Sequence, residues 1–280
     1  MNAALERVGP IVRTRIMELV LLLLCVYLAI RAEGFLTLEN LLLVLRNVSM
    51  QGVIAFGMTM VIISGEIDLS VGSAVAFAGC LTAYLTGLLG GPRGAMPTGV
   101  AILLAVVSSI ALGFALGCAT GFVRARFRVP TFITTLAWMT VLRGAAQLIT
   151  GGFSLTPFPE WYNFFGGGYL FGVIPFAAIV FLVAFAMIQL LMDYTSFGRA
   201  IYAVGGNAEA ARLSGIKVWR VKILVMGTVS ALAALAGVIQ SAEIMAGSPA
   251  AAWGWELDVI AAVIIGGTSL MGGVGRIWGT

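Results

Sequence analysis

The sequence predicts an all-α fold: a polytopic transmembrane helical bundle of about eight spans with its N-terminus in the cytoplasm. Three observations carry this reading. Of the 280 residues, 60% are hydrophobic and only 10% charged, against about 25% charged in a soluble globular chain. Uncharged apolar runs recur at the length a bilayer demands, roughly 20 residues per helix: Asn47–Gly65, Leu69–Pro92, Gly94–Val123, Trp161–Met192 and Ile223–Ala242. The basic residues gather in clusters between such runs, as the positive-inside rule requires. A β-barrel would instead show segments of about ten residues with alternating polarity.

The expected spans fall near 16–32, 41–63, 69–90, 97–123, 129–150, 173–192, 223–242 and 257–275. The first follows Arg7, Arg13 and Arg15. Its exit, "IRAEGF", has no small-x-small cleavage site, so an uncleaved first helix is expected rather than a signal peptide. Arg124, Arg126 and Arg128 lie between spans four and five, and Arg199, Arg212, Lys217, Arg220 and Lys222 between six and seven. With the N-terminus inside, these clusters share one side and hold 11 of the 16 basic residues. The net charge of +4 then belongs to cytoplasmic loops, and no nucleic-acid partner is implied.

Within span four, Gly113, Gly117 and Gly121 recur at four-residue spacing. That places them on one helix face and permits close packing with a neighbour. Cys25, Cys80 and Cys118 each sit inside a separate apolar run, where cysteine acts as a small hydrophobe. Histidine is absent, which removes the commonest metal ligand and general base; no metal site is expected. The segment "GGFSLTPFPEWYNFFGGGYLFG" between spans five and six reads as an outer aromatic belt or as a docking lip for an external partner. The glycine-rich span eight is the least helical in composition.

The longest polar stretch runs from Ser196 to Lys222. Inside it, "NAEAARLSG" carries the features of a two-turn helix. Asn207 is a good N-cap, and Glu209 in the first turn suits the helix dipole. Ala210, Ala211, Arg212 and Leu213 favour helix, and Gly215 is a natural terminator. Such a capped helix serves either as a peg that another protein pushes or as an amphipathic connector on the membrane surface.

"EAARLSGI" (Glu209–Ile216) resembles the Glu-Ala-Ala…Gly loop of ABC import permeases. "GRAIYAVGGNAEAARLSGI", "GMTMVIISGEIDLSVGS" (Gly57–Ser73) and "IIGGTSLMGGVGRIWGT" (Ile264–Thr280) are similar to segments of the ribose-type monosaccharide ABC transporter permease family, in that family's order. The resemblance implies a permease subunit of a binding-protein-dependent importer in the bacterial inner membrane. It implies an ABC ATP-binding subunit, a periplasmic sugar-binding protein and a second permease subunit, identical or different, as partners. ATP would be used by the partner subunit, with no cofactor bound by this chain, which has no Walker A sequence. The whole of 1–280 would form one permease domain, with an ATPase-coupling loop at about 193–222 containing Asn207, Glu209, Ala210, Ala211, Arg212 and Gly215. The family usually continues by about two more helices past the last of these segments, so a fragment or truncated product is the expectation for a chain stopping at Thr280.

Two acids, Glu66 and Asp68, stand between spans two and three. Facing lipid, an ionised acid costs roughly 2.5–3.5 kcal/mol on insertion scales. One reading is a tight turn, with Asp68 or Ser70 capping span three and Glu66 beside its dipole. The other is a break at membrane depth with Ser64, Glu66, Asp68, Ser70 and Ser73 lining the translocation pathway. "VIISG" (Val61–Gly65) recurs as "VIIGG" (Val263–Gly267), and paired interruptions of this kind point to a substrate path. Glu256 and Asp258, beside Trp253 and Trp255, read as an outer interfacial anchor or a sugar contact, and Gln147 and Gln240 as further pathway candidates. Rival readings are a permease for branched-chain amino acids or another small solute, and an ion-driven secondary transporter.

Overall fold

The computed structural model describes residues 19–91, 94–127 and 129–280. Contacts divide the chain into two compact units, residues 1–45 and 46–280. The first holds helix α1 (Leu19–Arg31) and the start of α2 (Leu38–Ile63). Thr37 organises the turn before α2: its hydroxyl donates to Gly34 O at 2.7 Å and accepts from Asn40 N at 3.4 Å. Arg7, Arg13, Arg15 and Arg128 lie outside the described residues.

The second unit continues α2 and adds α3 (Val71–Gly90), α4 (Thr98–Phe127) and α5 (Thr131–Thr150). A 3-10 turn (Glu160–Asn163), a one-turn helix α6 (Phe164–Gly167) and a small antiparallel hairpin, β1 (Tyr169–Leu170) with β2 (Ile174–Pro175), follow. Then come α7 (Phe176–Tyr194), α8 (Ser196–Gly206), α9 (Ala208–Leu213), α10 (Val218–Glu243) and α11 (Trp255–Ile265). Among the described residues six helices are long and apolar enough to cross a membrane: α2, α3, α4, α5, α7 and α10. Their exposed faces carry large apolar side chains such as Leu103, Val107, Leu182 and Val183, the surface that hydrocarbon covers without leaving polar groups unsatisfied.

The expected count of about eight spans is roughly matched, the differences lying at the two ends of the chain. The described part of the first span is the short helix α1, and residues 16–18 fall outside the description. The eighth span, expected over 257–275, is helical only to Ile265; α11 has 11 residues, about 16 Å of helix against a hydrocarbon core of about 30 Å. Gly267, Gly272 and Gly273 take φ of +91°, +82° and +73° and turn the chain back on itself. Hydropathy alone does not distinguish such a glycine-rich coil from a span.

The core forms where α10 meets α4 and α3, with α5 against α3. Small residues allow this proximity. A Cβ on Gly113 would stand 2.7 Å from Ala234 Cβ, one on Gly117 would overlap Met226 O, and one on Gly121 would stand 2.6 Å from Ile223 Cα. The pairing of rising numbers on α4 with falling numbers on α10 makes the two helices antiparallel. Gly57 of α2 meets α10 in the same way, its Cβ position 2.9 Å from Val229 Cα.

The repeated pentapeptide has a local cause. Gly65 N donates to Ile62 O (2.9 Å) and Glu66 N to Val61 O (3.1 Å); Gly267 N donates to Ile264 O (2.9 Å) and Thr268 N to Val263 O (3.2 Å). Both are the paired hydrogen bonds of a Schellman cap with a left-handed glycine. α9 ends identically, with Gly215 N to Arg212 O and Ile216 N to Ala211 O, each 3.0 Å. The repeat therefore encodes helix ends, and this shared cap accounts for it.

Candidate coupling and transport site

The polar stretch folds as its residues dictate. Asn207 Oδ1 accepts from Glu209 N at 3.1 Å and Ala210 N at 2.9 Å, opening α9. Gly215, at φ +88°, closes it. Ala211 is buried and anchors the helix, whereas Glu209, Ala210, Arg212 and Leu213 face outward. Arg212 donates to Glu209 from Nε (3.0 Å) and Nη2 (2.6 Å). These bonds from Arg212 hold the Glu209 carboxyl below its ordinary range and raise the guanidinium in return. Behind α9 lies an open groove of about 910 Å³, whose lining includes Glu209, Arg212, Trp219, Arg124 and Lys222.

Arg124 and Lys222 lead from that groove to Glu66. Arg124 Nε donates to Glu66 Oε1 at 3.1 Å, Lys222 Nζ donates to the same oxygen, and the Thr131 hydroxyl donates to Oε2. One buried carboxylate thus ties the loop after α2 to the end of α4, the start of α5 and the start of α10. The Glu66 carboxylate accepts its hydrogen bonds from these three side chains rather than from a backbone N–H of α3. The shared contact also places the 64–70 loop, the α4–α5 junction and the α10 start at one end of the bundle, as the charge clusters imply.

Asp68 performs the turn. Its Oδ1 accepts from Ser70 N (2.8 Å) and Ser70 Oγ (2.6 Å), while Oδ2 is buried with no partner among the described residues. Burial pushes the Asp68 carboxyl above the usual range, against the two Ser70 hydrogen bonds. Ser70 occupies the position before α3 but makes no side-chain cap; its hydroxyl turns back to Asp68. All five pathway candidates, Ser64, Glu66, Asp68, Ser70 and Ser73, are buried. Ser70 lines a cavity of about 10 Å³ shared with Gly113, Gly117, Thr120 and Ser230, room for about one water. In this arrangement the 64–73 segment is packed inside the bundle.

The outer aromatic segment is fastened rather than free. Tyr162 is buried; its hydroxyl donates to Val238 O at 3.3 Å and lies 3.1 Å from Ser241 Oγ. Asn163 Nδ2 donates to Ala242 O and Glu243 O at 3.1 and 3.2 Å. Phe153 and Phe171 remain exposed at the periphery.

The acidic pair Glu256 and Asp258 is split, as a two-residue offset on a helix requires. Glu256 is buried against Gly72, while Asp258 is exposed and accepts from Gln51 Nε2 at 3.2 Å. Gln51 lies midway along α2, about 18 Å from its end at Ile63. An anchor at the outer rim is therefore not where this pair stands. Of the amide candidates, Gln240 lines a pocket beside Gln51 and Glu243, and Gln147 faces outward. Arg124, Thr131 and Lys222 were legible only as orientation charges or as a helix start, since their meeting at Glu66 depends on tertiary contacts 58 to 156 residues apart.

Comparison with known proteins gives this geometry a family. Residues 40–280 match the family described as branched-chain amino acid transport system / permease component. The chain belongs to this permease family. It is 42% identical over its full length to the ribose import permease protein RbsC of Bacillus subtilis (strain 168), covering 82% of that protein. RbsC of Escherichia coli (strain K12) is also 42% identical, over 93% of this chain and 79% of its own. The L-arabinose transport system permease protein AraH of the same E. coli strain is 39% identical over 93% and 76% respectively. No solved structure matches. The family resemblance read from the three sequence segments thus holds, and the six apolar helices belong to a multi-pass membrane permease.

Proposed function

We propose that this chain is the permease subunit of an ATP-driven, binding-protein-dependent importer that carries a monosaccharide, of the pentose type or a related polyol, across a bacterial inner membrane. The observation that carries the reading is the 42% identity along the whole chain to a ribose import permease. In this reading residues 1–280 act as one permease domain. ATP binds to and is hydrolysed on a separate ABC subunit, a periplasmic binding protein delivers the sugar, and a second permease subunit completes the path. The chain itself catalyses no reaction and binds no cofactor.

Within it, α9 of the 193–222 loop meets the ATP-binding subunit through Glu209, Ala210 and Arg212, with Asn207 and Gly215 fixing the ends of the helix. Ala211 sits in the core, so a push on α9 reaches the groove floor, where Arg124 and Lys222 hold Glu66. The plug at 64–73 then shifts, with Glu66 as its handle and Ser70 as the group reaching the interior. This is rigid-body movement about a central path, and Gly113, Gly117 and Gly121 keep α4 and α10 together through it.

The test is uptake in proteoliposomes containing this chain with its ATP-binding subunit and binding protein. Ribose accumulation that requires ATP is expected. Uptake by this chain alone, driven by an ion gradient, would replace the reading with a secondary transporter; ATP-driven leucine uptake without sugar uptake would replace the substrate.

A further inference from the structure

A second polar constellation lies away from the plug. Asn47 and Gln51 on α2 and Gln240 and Glu243 on α10 line a pocket of about 280 Å³, with the Trp255 indole at the start of α11 as a wall. Asn47 and Gln51 are four residues apart and Gln240 and Glu243 three apart, so each pair shares one helix face. The edges are polar as well. Gln51 Nε2 donates to Asp258 Oδ2 at 3.2 Å. Arg46 Nη2 lies 3.3 Å from Glu243 Oε1, both side chains are 21% exposed, and Arg46 Nε is buried with no partner among the described residues.

Position and cost exclude a lipid-facing role. Gln51 is at the middle of a 26-residue span, where a charged group facing hydrocarbon costs roughly 2.5–3.5 kcal/mol on insertion scales. Six polar or charged side chains assembled there require water, solute or protein opposite them. The chemistry defines the solute. Amides both donate and accept, carboxylates accept from hydroxyls, and an indole face packs against C–H bonds. Arg46 and Glu243 neutralise each other, and Asp258 at the edge is bonded to the Gln51 amide, so the contacts facing the pocket are mostly neutral amides. The volume lies just below the usual range of small-molecule sites, about 300–1,000 Å³, and suits a small solute.

We infer that the pocket between α2, α10 and the start of α11 is a transit site for the transported sugar, with Gln51, Gln240 and Trp255 as its contacts. The inference rests on the importer reading and adds to it a place where the sugar pauses. The same geometry sets the 64–73 plug and this pocket as two separate stations, one gating and one contacting solute.

The assembled importer in proteoliposomes tests this with ribose as the probe. Gln240→Leu suits a lipid-facing site and should leave uptake unchanged there; the transit site predicts at least a tenfold fall in ATP-driven ribose uptake at an unchanged amount of inserted protein. A second variant covers failure to insert. In a chain with Cys25, Cys80 and Cys118 replaced by alanine, Gln51→Cys should react with a charged, membrane-impermeant methanethiosulfonate, and saturating ribose during turnover should slow the reaction at least threefold. Undiminished uptake by Gln240→Leu, no labelling of Gln51→Cys, or labelling indifferent to ribose would each overturn the transit site while the importer reading stands. Absence of ATP-driven uptake by the unsubstituted importer would overturn that reading and the transit site with it.

Discussion

Arg124 reaches Glu66 at 3.1 Å from the last turn of α4, and Lys222 reaches the same oxygen from the first turns of α10. A single buried carboxylate therefore holds two cations on two helices. Losing the carboxylate leaves two charges facing each other without compensation.

Glu66→Gln should lower the thermal stability of the purified protein, by up to about 3–5 kcal/mol, the cost of breaking a buried pair from one side. Glu66→Gln combined with Lys222→Met should lose less than the sum of the two, because each single change already removes the shared bond. Thermal unfolding in detergent measures both. Additive losses would mean that the two residues do not communicate.

The coupling helix makes a different prediction. Gly215 sits at φ +88° with nothing within 4 Å of a Cβ position, so Gly215→Ala introduces backbone strain of about 1–2 kcal/mol without a clash. Asn207→Ala removes the cap at a cost of about 1 kcal/mol. Each should reduce ATP-driven uptake severalfold in the assembled importer, with normal insertion measured by membrane fractionation. Equal uptake by both variants and the unsubstituted chain would show that α9 carries no load.

Along α4 the glycines should rank by the space around them. Gly117→Ala meets Met226 O and Ser230 and should cost about 1–3 kcal/mol. Gly144→Ala, in α5, has open space around it and should be neutral or slightly stabilising. Melting temperatures of the two variants in one detergent decide the matter.

Asp68 sets a pH dependence. Its folded carboxyl titrates above the ordinary value of 3.8 because it is buried. An acid with a raised folded pKa favours the folded state most when protonated, so its contribution declines as pH rises from about 3.8 through the folded value. Glu209 has the opposite sign. Arg212 depresses it below 4.5, so its contribution is complete above that value and is lost as pH falls through the folded pKa. Unfolding curves across pH for the unsubstituted chain and Asp68→Asn should diverge above pH 4, and Asp68→Asn should impair uptake while inserting normally.

Most of the fold was legible because hydrocarbon imposes a length and a composition on each span. The glycine spacing on α4 was legible for a similar reason: four residues bring side chains to one face, whatever the partner. Span eight misled because glycine counts as neither polar nor helix-breaking in a hydropathy window, yet Gly267, Gly272 and Gly273 take left-handed φ. The role of Glu66 was hidden because its three donors come from three later elements, and no local pattern records their meeting. The α2–α10 pocket was partly visible: Gln240 stood out as an amide inside a span, but Arg46, Asn47 and Gln51, within the expected span 41–63, join it only through contacts between elements distant in sequence.

The glycine seam between α4 and α10 has a mechanical consequence. Backbones packed this closely, with Gly117 against Met226 O and the small Ser230 side chain and Gly121 against Ile223 Cα, leave little room for the helices to slide. The two helices form a strut of fixed geometry. In the proposed importer a displacement at the end bearing Arg124 and Lys222 would be carried along this strut, and the compliance would lie in the non-helical residues 64–70, whose fold depends on the hydrogen bonds of Glu66 and Asp68. Stiffness in the strut and give in the loop together decide how far a stroke made outside the membrane travels within it.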